Sequence, residues 1–220
     1  MIKKIIIRFA ILLLLFVVVV IVNLVFFVKK SSQISEGEKI ERYETQKSAL
    51  IVLDIQEGTT GAQSLDECYT SVSNDLIKTS NQIIESANNK EIPVIYIKSE
   101  VSNKLVNIIN NSMAVGSKGA QLDNRLLVIS DLIIPKEKQD AFSNPKLDEY
   151  LIANKINKLY IIGLDAAHCV NSTITAAQNR GYRVTVIRDA LVSESDSLKI
   201  QMIEEFKNRN IVVISSSDFL

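Results

Sequence analysis

The chain of 220 residues has one histidine, two cysteines and no net charge, its 25 basic side chains matching 25 acidic ones. Each scarcity excludes a class of protein. Hydrolytic zinc sites usually draw several His together with a carboxylate or a Cys. One His leaves such a centre without ligands, so no metal and no other cofactor is expected. Two cysteines, Cys68 and Cys169, cannot build a disulfide framework. Cys68 reads as a small packed apolar residue. Zero net charge offers no electrostatic footprint for nucleic acid and leaves homo-oligomerisation open. There is no internal repeat and no long low-complexity run outside the N-terminal segment.

That segment is the first positive feature. Residues 9–28 carry no charge and are mostly Leu, Ile, Val and Phe. At ~1.5 Å per residue they reach about 30 Å, the thickness of one hydrocarbon core. Lys3, Lys4 and Arg8 flank one end, Lys29 and Lys30 the other. A cleaved signal peptide has a shorter apolar region and a small-residue cleavage site, whereas Phe26-Phe27-Val28 runs directly into lysines. A helix apolar on every side also differs from the amphipathic helix of a soluble core. A single-pass membrane anchor is expected, with the lipid bilayer as partner of residues 9–28. The positive-inside rule sets Lys3, Lys4, Arg8 and the α-amino group against Lys29, Lys30, Lys39 and Arg42. The balance leans to the N-terminus inside, with the soluble part outside the cytoplasm. Residues 31–46 are polar and acidic-leaning, which suits a tether.

The remaining stretch, about 170 residues, is long enough for one well-cored domain. Short apolar runs alternate with amphipathic patterns. Runs at residues 49–53, 94–97, 159–162, 184–187 and 211–214 read as strands, with weaker candidates at 126–129 and 132–134. Val72, Leu76, Ile83, Ile84 and Ala87 mark one helical face, residues 147–153 a second helix, and Leu198, Met202 and Phe206 a third. Continuous apolar strands separated by such helices predict a mainly parallel sheet of about six strands covered on both faces, an α/β doubly wound three-layer sandwich preceded by one transmembrane helix.

Within this frame Leu159-Tyr160-Ile161-Ile162-Gly163 reads as a buried strand, followed by a tight bend and a helix opening at Cys169. A thiol in a helix's first turn faces unpaired N–H groups and the positive end of the dipole, which favours the thiolate nucleophile. Open α/β sheets bind ligands at the carboxyl ends of their strands. A packed, inert thiol is the alternative at any single Cys. Here other strand ends also carry reactive groups: Asp54 after the first strand, Lys136 and Lys138 after residues 132–134. On one edge these would combine a nucleophile, a base and a stabilising cation.

With these residues in place the chain resembles a known family, the isochorismatase-like cysteine hydrolases, which include nicotinamidases, carbamoylsarcosine amidohydrolases and ureidoacrylate hydrolases. The resemblance runs from about residue 48 to 220. Ala49-Leu50-Ile51-Val52-Leu53-Asp54-Ile55-Gln56 resembles the family's first strand, whose terminal Asp is the catalytic base. Gly119-Ala120-Gln121-Leu122-Asp123 resembles the segment before its catalytic lysine. Lys136-Glu137-Lys138-Gln139-Asp140-Ala141-Phe142, with Leu147 beyond, resembles the lysine motif in a register that selects Lys136 over Lys138. Residues 163–170 resemble the nucleophile loop. Asn179-Arg180-Gly181-Tyr182 and Asp189-Ala190 resemble the family's segments C-terminal to that loop.

The resemblance implies a hydrolase domain at residues 47–220, behind an anchor at 1–30 and a tether at 31–46. It implies attack by Cys169 on an amide or ureido carbonyl, with Asp54 shuttling the proton and Lys136 stabilising the thiolate. The N–H groups of Ala166 and Cys169 would form an oxyanion hole, with a cis peptide between Asp165 and Ala166. Gln56, Glu57 and Asp165 are expected to face the pocket, and His168 to point away. The chain departs from the family at Ala166, where a Thr is common, and at Asp165, where a small residue is common. Its single His cannot supply the Asp-and-His metal site of nicotinamidases. The competing reading is a catalytically silent relative acting as a membrane-tethered binding or scaffolding module.

Overall fold

The computed structural model describes residues 2–41 and 43–220; Met1 and Arg42, both counted in the flanking charge above, lie outside the described residues. The chain runs α1 (Ile2–Ser31), β1 (Ser48–Leu53), α2 (Glu67–Thr70), α3 (Ser73–Asn89), β2 (Val94–Ser99), α4 (Lys104–Ile109), β3 (Ile133–Lys136) and α5 (Pro145–Ala153). It continues through β4 (Lys158–Gly163), α6 (Asn171–Asn179), β5 (Arg183–Leu191), α7 (Asp196–Asn208), β6 (Val212–Ile214) and α8 (Ser216–Phe219).

All six strands are parallel and lie in the order β3-β2-β1-β4-β5-β6. The chain winds outward from β1 to one side, then from β4 to the other, an order that right-handed crossovers produce. Alternation along β1 divides the core. Ala49, Ile51 and Leu53 pack with Leu147 and Leu151 of α5, Ile174 of α6 and Phe206 of α7. Leu50 and Val52 pack with Leu76, Ile83 and Ile84 of α3 and with Phe219 of α8. Both faces of the sheet are covered, so its strands are apolar on both sides.

Two strand expectations change. Residues 126–129 do not join the sheet; the Tyr96 hydroxyl donates to the Leu127 carbonyl at 2.8 Å and accepts from the Ile129 N–H at 3.2 Å. A side chain thus satisfies backbone groups that a strand would have paired. The neighbouring candidate is a strand and extends to Lys136, which pairs with Ser99 of β2.

Residues 31–41 are seated on the domain. Arg180, 2% exposed, donates to the carbonyls of Ser35 at 3.0 Å and Glu36 at 2.7 Å and to Asp148 at 2.8 Å. Asp140 accepts the Ser35 N–H at 2.7 Å, and Ile34 and Ile40 pack against the core. This part of the polar segment lies against the protein, because a buried guanidinium uses its backbone carbonyls as acceptors. α1 is the one helix among the described residues that is long and apolar enough to cross a membrane, and none of its residues is buried.

Candidate active site

In this strand order the chain reverses its winding direction between β1 and β4, and open sheets of this kind bind ligands outside the carboxyl ends at that switch point. Asp54 follows β1 there, and the turn bearing Cys169 follows β4. Two backbone features bring them together. Gly163 pairs with Leu53 and has φ +117°; a Cβ there would lie 2.0 Å from the Leu53 carbonyl oxygen, so only glycine fits. Asp54 has φ +54°, a left-handed conformation that Asp tolerates better than most residues. Thr59 Oγ1 holds it by donating to the Asp54 carbonyl at 2.7 Å.

Lys136 stands at the centre of the cluster, 2% exposed. Its Nζ lies 2.9 Å from Asp54 Oδ2 and donates to Cys169 Sγ at 3.3 Å. It also donates to Ser99 Oγ at 2.8 Å, and that hydroxyl donates to Asp54 Oδ1 at 2.9 Å. Asp54 Oδ2 is buried and has the ammonium within ion-pair reach but no well-aligned hydrogen bond among the described residues. Lys138 is not part of this cluster; it lines, with Lys136, a cavity beside α1. The structure thus brings together Asp54, Lys136 and Cys169, which the resemblance singled out. Ser99 is a further member. Sequence reasoning ended β2 at Ile97; two more residues put Ser99 level with Lys136, and a hydroxyl on that edge was the available signal.

Electrostatics separate the three groups. Burial pushes the Cys169 thiol up to about 12; the Asp54 carboxylate pushes the same way, and Lys136 pulls against both. Burial depresses the Lys136 ammonium, but the negative charge of Asp54 and contact with Cys169 outweigh it and raise it. The expectation that the helix start favours the thiolate of Cys169 therefore meets an opposing environment. Desolvation beside a carboxylate raises the thiol and so opposes the helix-start effect.

The turn itself also differs. Cys169 lies within one wide turn, Ala166–Val170, before α6 begins. The Val170 N–H reaches back five residues to the Asp165 carbonyl at 3.0 Å. The cis peptide lies between Leu164 and Asp165, one bond earlier than expected. The Ala166 N–H donates to the Val192 carbonyl at 2.9 Å, because pairing between β4 and β5 continues past their ends. One of the two expected oxyanion donors is thereby engaged.

The expected pocket residues spend their polar atoms on the protein. Gln56, fully buried, donates to the carbonyls of Ser99 and Ala120 and accepts the Ser99 N–H at 2.7 Å. Glu57 accepts from the N–H groups of Ala62 and Asn124, both at 3.1 Å. Asp165 caps the turn, its Oδ1 accepting from Ala167 at 2.7 Å and His168 at 3.2 Å. His168 is exposed, its Nε2 lying 3.4 Å from Glu194.

Parallel strands wound to both sides of a switch point, with a polar cluster on the carboxyl edge, define a doubly wound α/β protein with an open-edge site. The Isochorismatase domain family model matches residues 48–218, and the chain belongs to this isochorismatase-like hydrolase family. N-carbamoylsarcosine amidase from Arthrobacter sp. is 27% identical over 129 residues, a match covering 53% of this chain and 49% of that relative. The chain thus matches about half the length of this curated relative. N-carbamoylsarcosine amidase from Thermoplasma acidophilum is similar in structure, with a TM-score of 0.65 and 26% identity over 78% of this chain and 97% of that one. Nicotinamidase from Bacillus subtilis shares the fold at a TM-score of 0.63 and 20% identity, covering 77% of this chain and all (100%) of that one.

Proposed function

We propose that the protein is a membrane-anchored cysteine hydrolase that cleaves a C–N bond of a small amide or ureido substrate. Residues 1–30 would form the anchor and residues 47–220 the hydrolase domain. The observation that carries this reading is the Lys136 ammonium set between the Asp54 carboxylate and the Cys169 thiol. The family and its amidase relatives support the reaction class.

Cys169 Sγ attacks the carbonyl carbon while its proton passes to Asp54 Oδ2, the carboxylate oxygen without an aligned hydrogen bond. Lys136 offsets the negative charge as it moves between sulfur and carboxylate. The Cys169 N–H is the oxyanion donor. Collapse of the tetrahedral intermediate breaks the C–N bond, and Asp54 returns the proton to the leaving nitrogen. This leaves a thioester on Cys169. Asp54 then accepts a proton from water as it attacks the thioester, releasing the acid and restoring the thiol.

The test is a panel of small amides and ureides offered to the full-length protein, its Cys169→Ala variant and its Asp54→Asn variant. Cys169→Ala should lower turnover of the preferred substrate by about 10³-fold or more, with unfolding free energy changed by less than ~1 kcal/mol. Asp54→Asn should be of similar severity, since an amide cannot accept the thiol proton. Full activity in Cys169→Ala would exclude the covalent route.

A further inference from the structure

The last turns of α1 do not stand clear of the domain. α1 is exposed except along Val20, Asn23, Phe27 and Ser31, which are partly covered and spaced three or four residues apart, so they face one way. A cavity of about 700 Å³ separates this stripe from the domain; Asn23, Phe26 and Phe27 line it from α1, Ser102 and Asn103 from the domain. Asn103 is the N-cap of α4, accepting from the N–H groups of Leu105 at 3.0 Å and Val106 at 3.2 Å. α4 therefore starts on the cavity wall and packs against α1.

α4 is apolar where it should be wet. Ile108 is 66% exposed, Ile109 59%, and Val115 in the returning loop 59%. The loop is closed at its base, where the Val101 N–H donates to the Met113 carbonyl at 2.7 Å, so these side chains project from an anchored frame. Lys104 is exposed at the start of the same helix.

We propose that α4 and its loop are a second bilayer contact, with Ile108, Ile109 and Val115 sunk at the headgroup–acyl boundary beside the anchor. The inference rests on the reading of residues 9–28 as a membrane span. The two turns of α1 alongside the cavity rise about 11 Å, close to the ~5–10 Å by which interfacial helices sink into a membrane. An apolar surface continuous with a spanning helix meets the same solvent as that helix. The domain is then seated on the bilayer at two points, and the carboxyl edge of β3, which also borders the cavity, faces the membrane surface.

The chain has no Trp, so one introduced Trp reports its own surroundings. Full-length Phe16→Trp, Ile109→Trp and Ile200→Trp variants would be reconstituted in vesicles containing lipids brominated either high or deep on the acyl chain. Phe16→Trp should be quenched by deep bromines. Ile109→Trp should be blue-shifted and lose emission mainly to high bromines. Ile200→Trp, on the exposed face of α7, should do neither. Quenching at position 16 without quenching at 109 overturns the inference and leaves the span intact. A blue shift at 109 without quenching also overturns it, and assigns the patch to a second protein copy. Absence of quenching at 16 removes the spanning helix, and the inference with it.

Discussion

In the proposed reaction Cys169 is a nucleophile made on demand. Burial raises the thiol and the neighbouring carboxylate raises it further. The sign is testable. In a Cys68→Ala background, ultraviolet titration should show Cys169 ionising well above its ordinary value of 9.0, towards about 12. Adding Asp54→Asn should lower that midpoint, because it removes a negative charge that opposes the thiolate. A midpoint at or below 9.0, unmoved by Asp54→Asn, would contradict the arrangement. Ser99 acts at one remove, joining ammonium to carboxylate. Hydrogen bonds to charged groups contribute ~1.5–3 kcal/mol, so Ser99→Ala should lower kcat/KM about 10- to 100-fold. Ser99→Thr keeps the hydroxyl and should recover most of the loss; equal damage by both would point to packing instead.

At the scale of elements, the strand bearing Lys136, the helix that follows Cys169 and the linker are tied together. Thr173 of α6 accepts the Ala141 N–H at 3.1 Å, just beyond β3. Asp140 in the same loop holds both Phe142, through its N–H at 2.7 Å, and Ser35 of the linker. Arg180, at the end of α6, stacks over the Phe142 ring at 4.7 Å while holding Ser35 and Glu36. The segment leading from α1 is thus clamped to the elements that position Lys136 and Cys169. Arg180→Met keeps the apolar stem and removes the donors. It should raise the rate of protease cleavage within residues 31–41 about tenfold or more, since charge-assisted bonds of ~1.5–3 kcal/mol hold the segment closed. Mass mapping of early fragments would show this, and an unchanged cleavage pattern would mean the linker is held by Ile34 and Ile40 instead.

For the whole molecule the decisive partner is the solvent around α1. A helix with no buried residue and some twenty apolar ones leaves a large apolar surface in water, whereas insertion of such a segment is effectively irreversible. Full-length protein should therefore sediment with membranes and resist extraction by high salt and alkali. Zero net charge provides no comparable electrostatic attachment. Release by salt alone would show that residues 9–28 do not span, and a mature protein starting near Ser31 would show that they are removed. Protease protection of the domain in intact cells would reverse the orientation inferred from the flanking lysines.

What the sequence determined by itself is what depends on local pattern and on residue type. The period of the apolar runs specified parallel strands and covering helices, because strands buried on both faces must be apolar throughout. The apolar length of residues 9–28 sets a helix that can cross a bilayer. The order of Asp54, Lys136 and Cys169 along the chain, read through a family resemblance, named the members of the cluster. Tertiary structure decided everything that depends on which groups share a volume. Strand register put Ser99 opposite Lys136, and no count along the chain shows that. Continued pairing beyond β5 took the Ala166 N–H for Val192. Gln56 and Glu57 became braces because the N–H groups of Ser99 and Asn124, from distant segments, came within reach, and Asp165 became one by capping its own turn. Desolvation pushes the thiol up, and desolvation is a property of the packed surroundings that the helix position alone does not contain. The linker's docking likewise required Arg180 to be buried, since a guanidinium without water must find carbonyls, and those of Ser35 and Glu36 were the ones the fold brought to it.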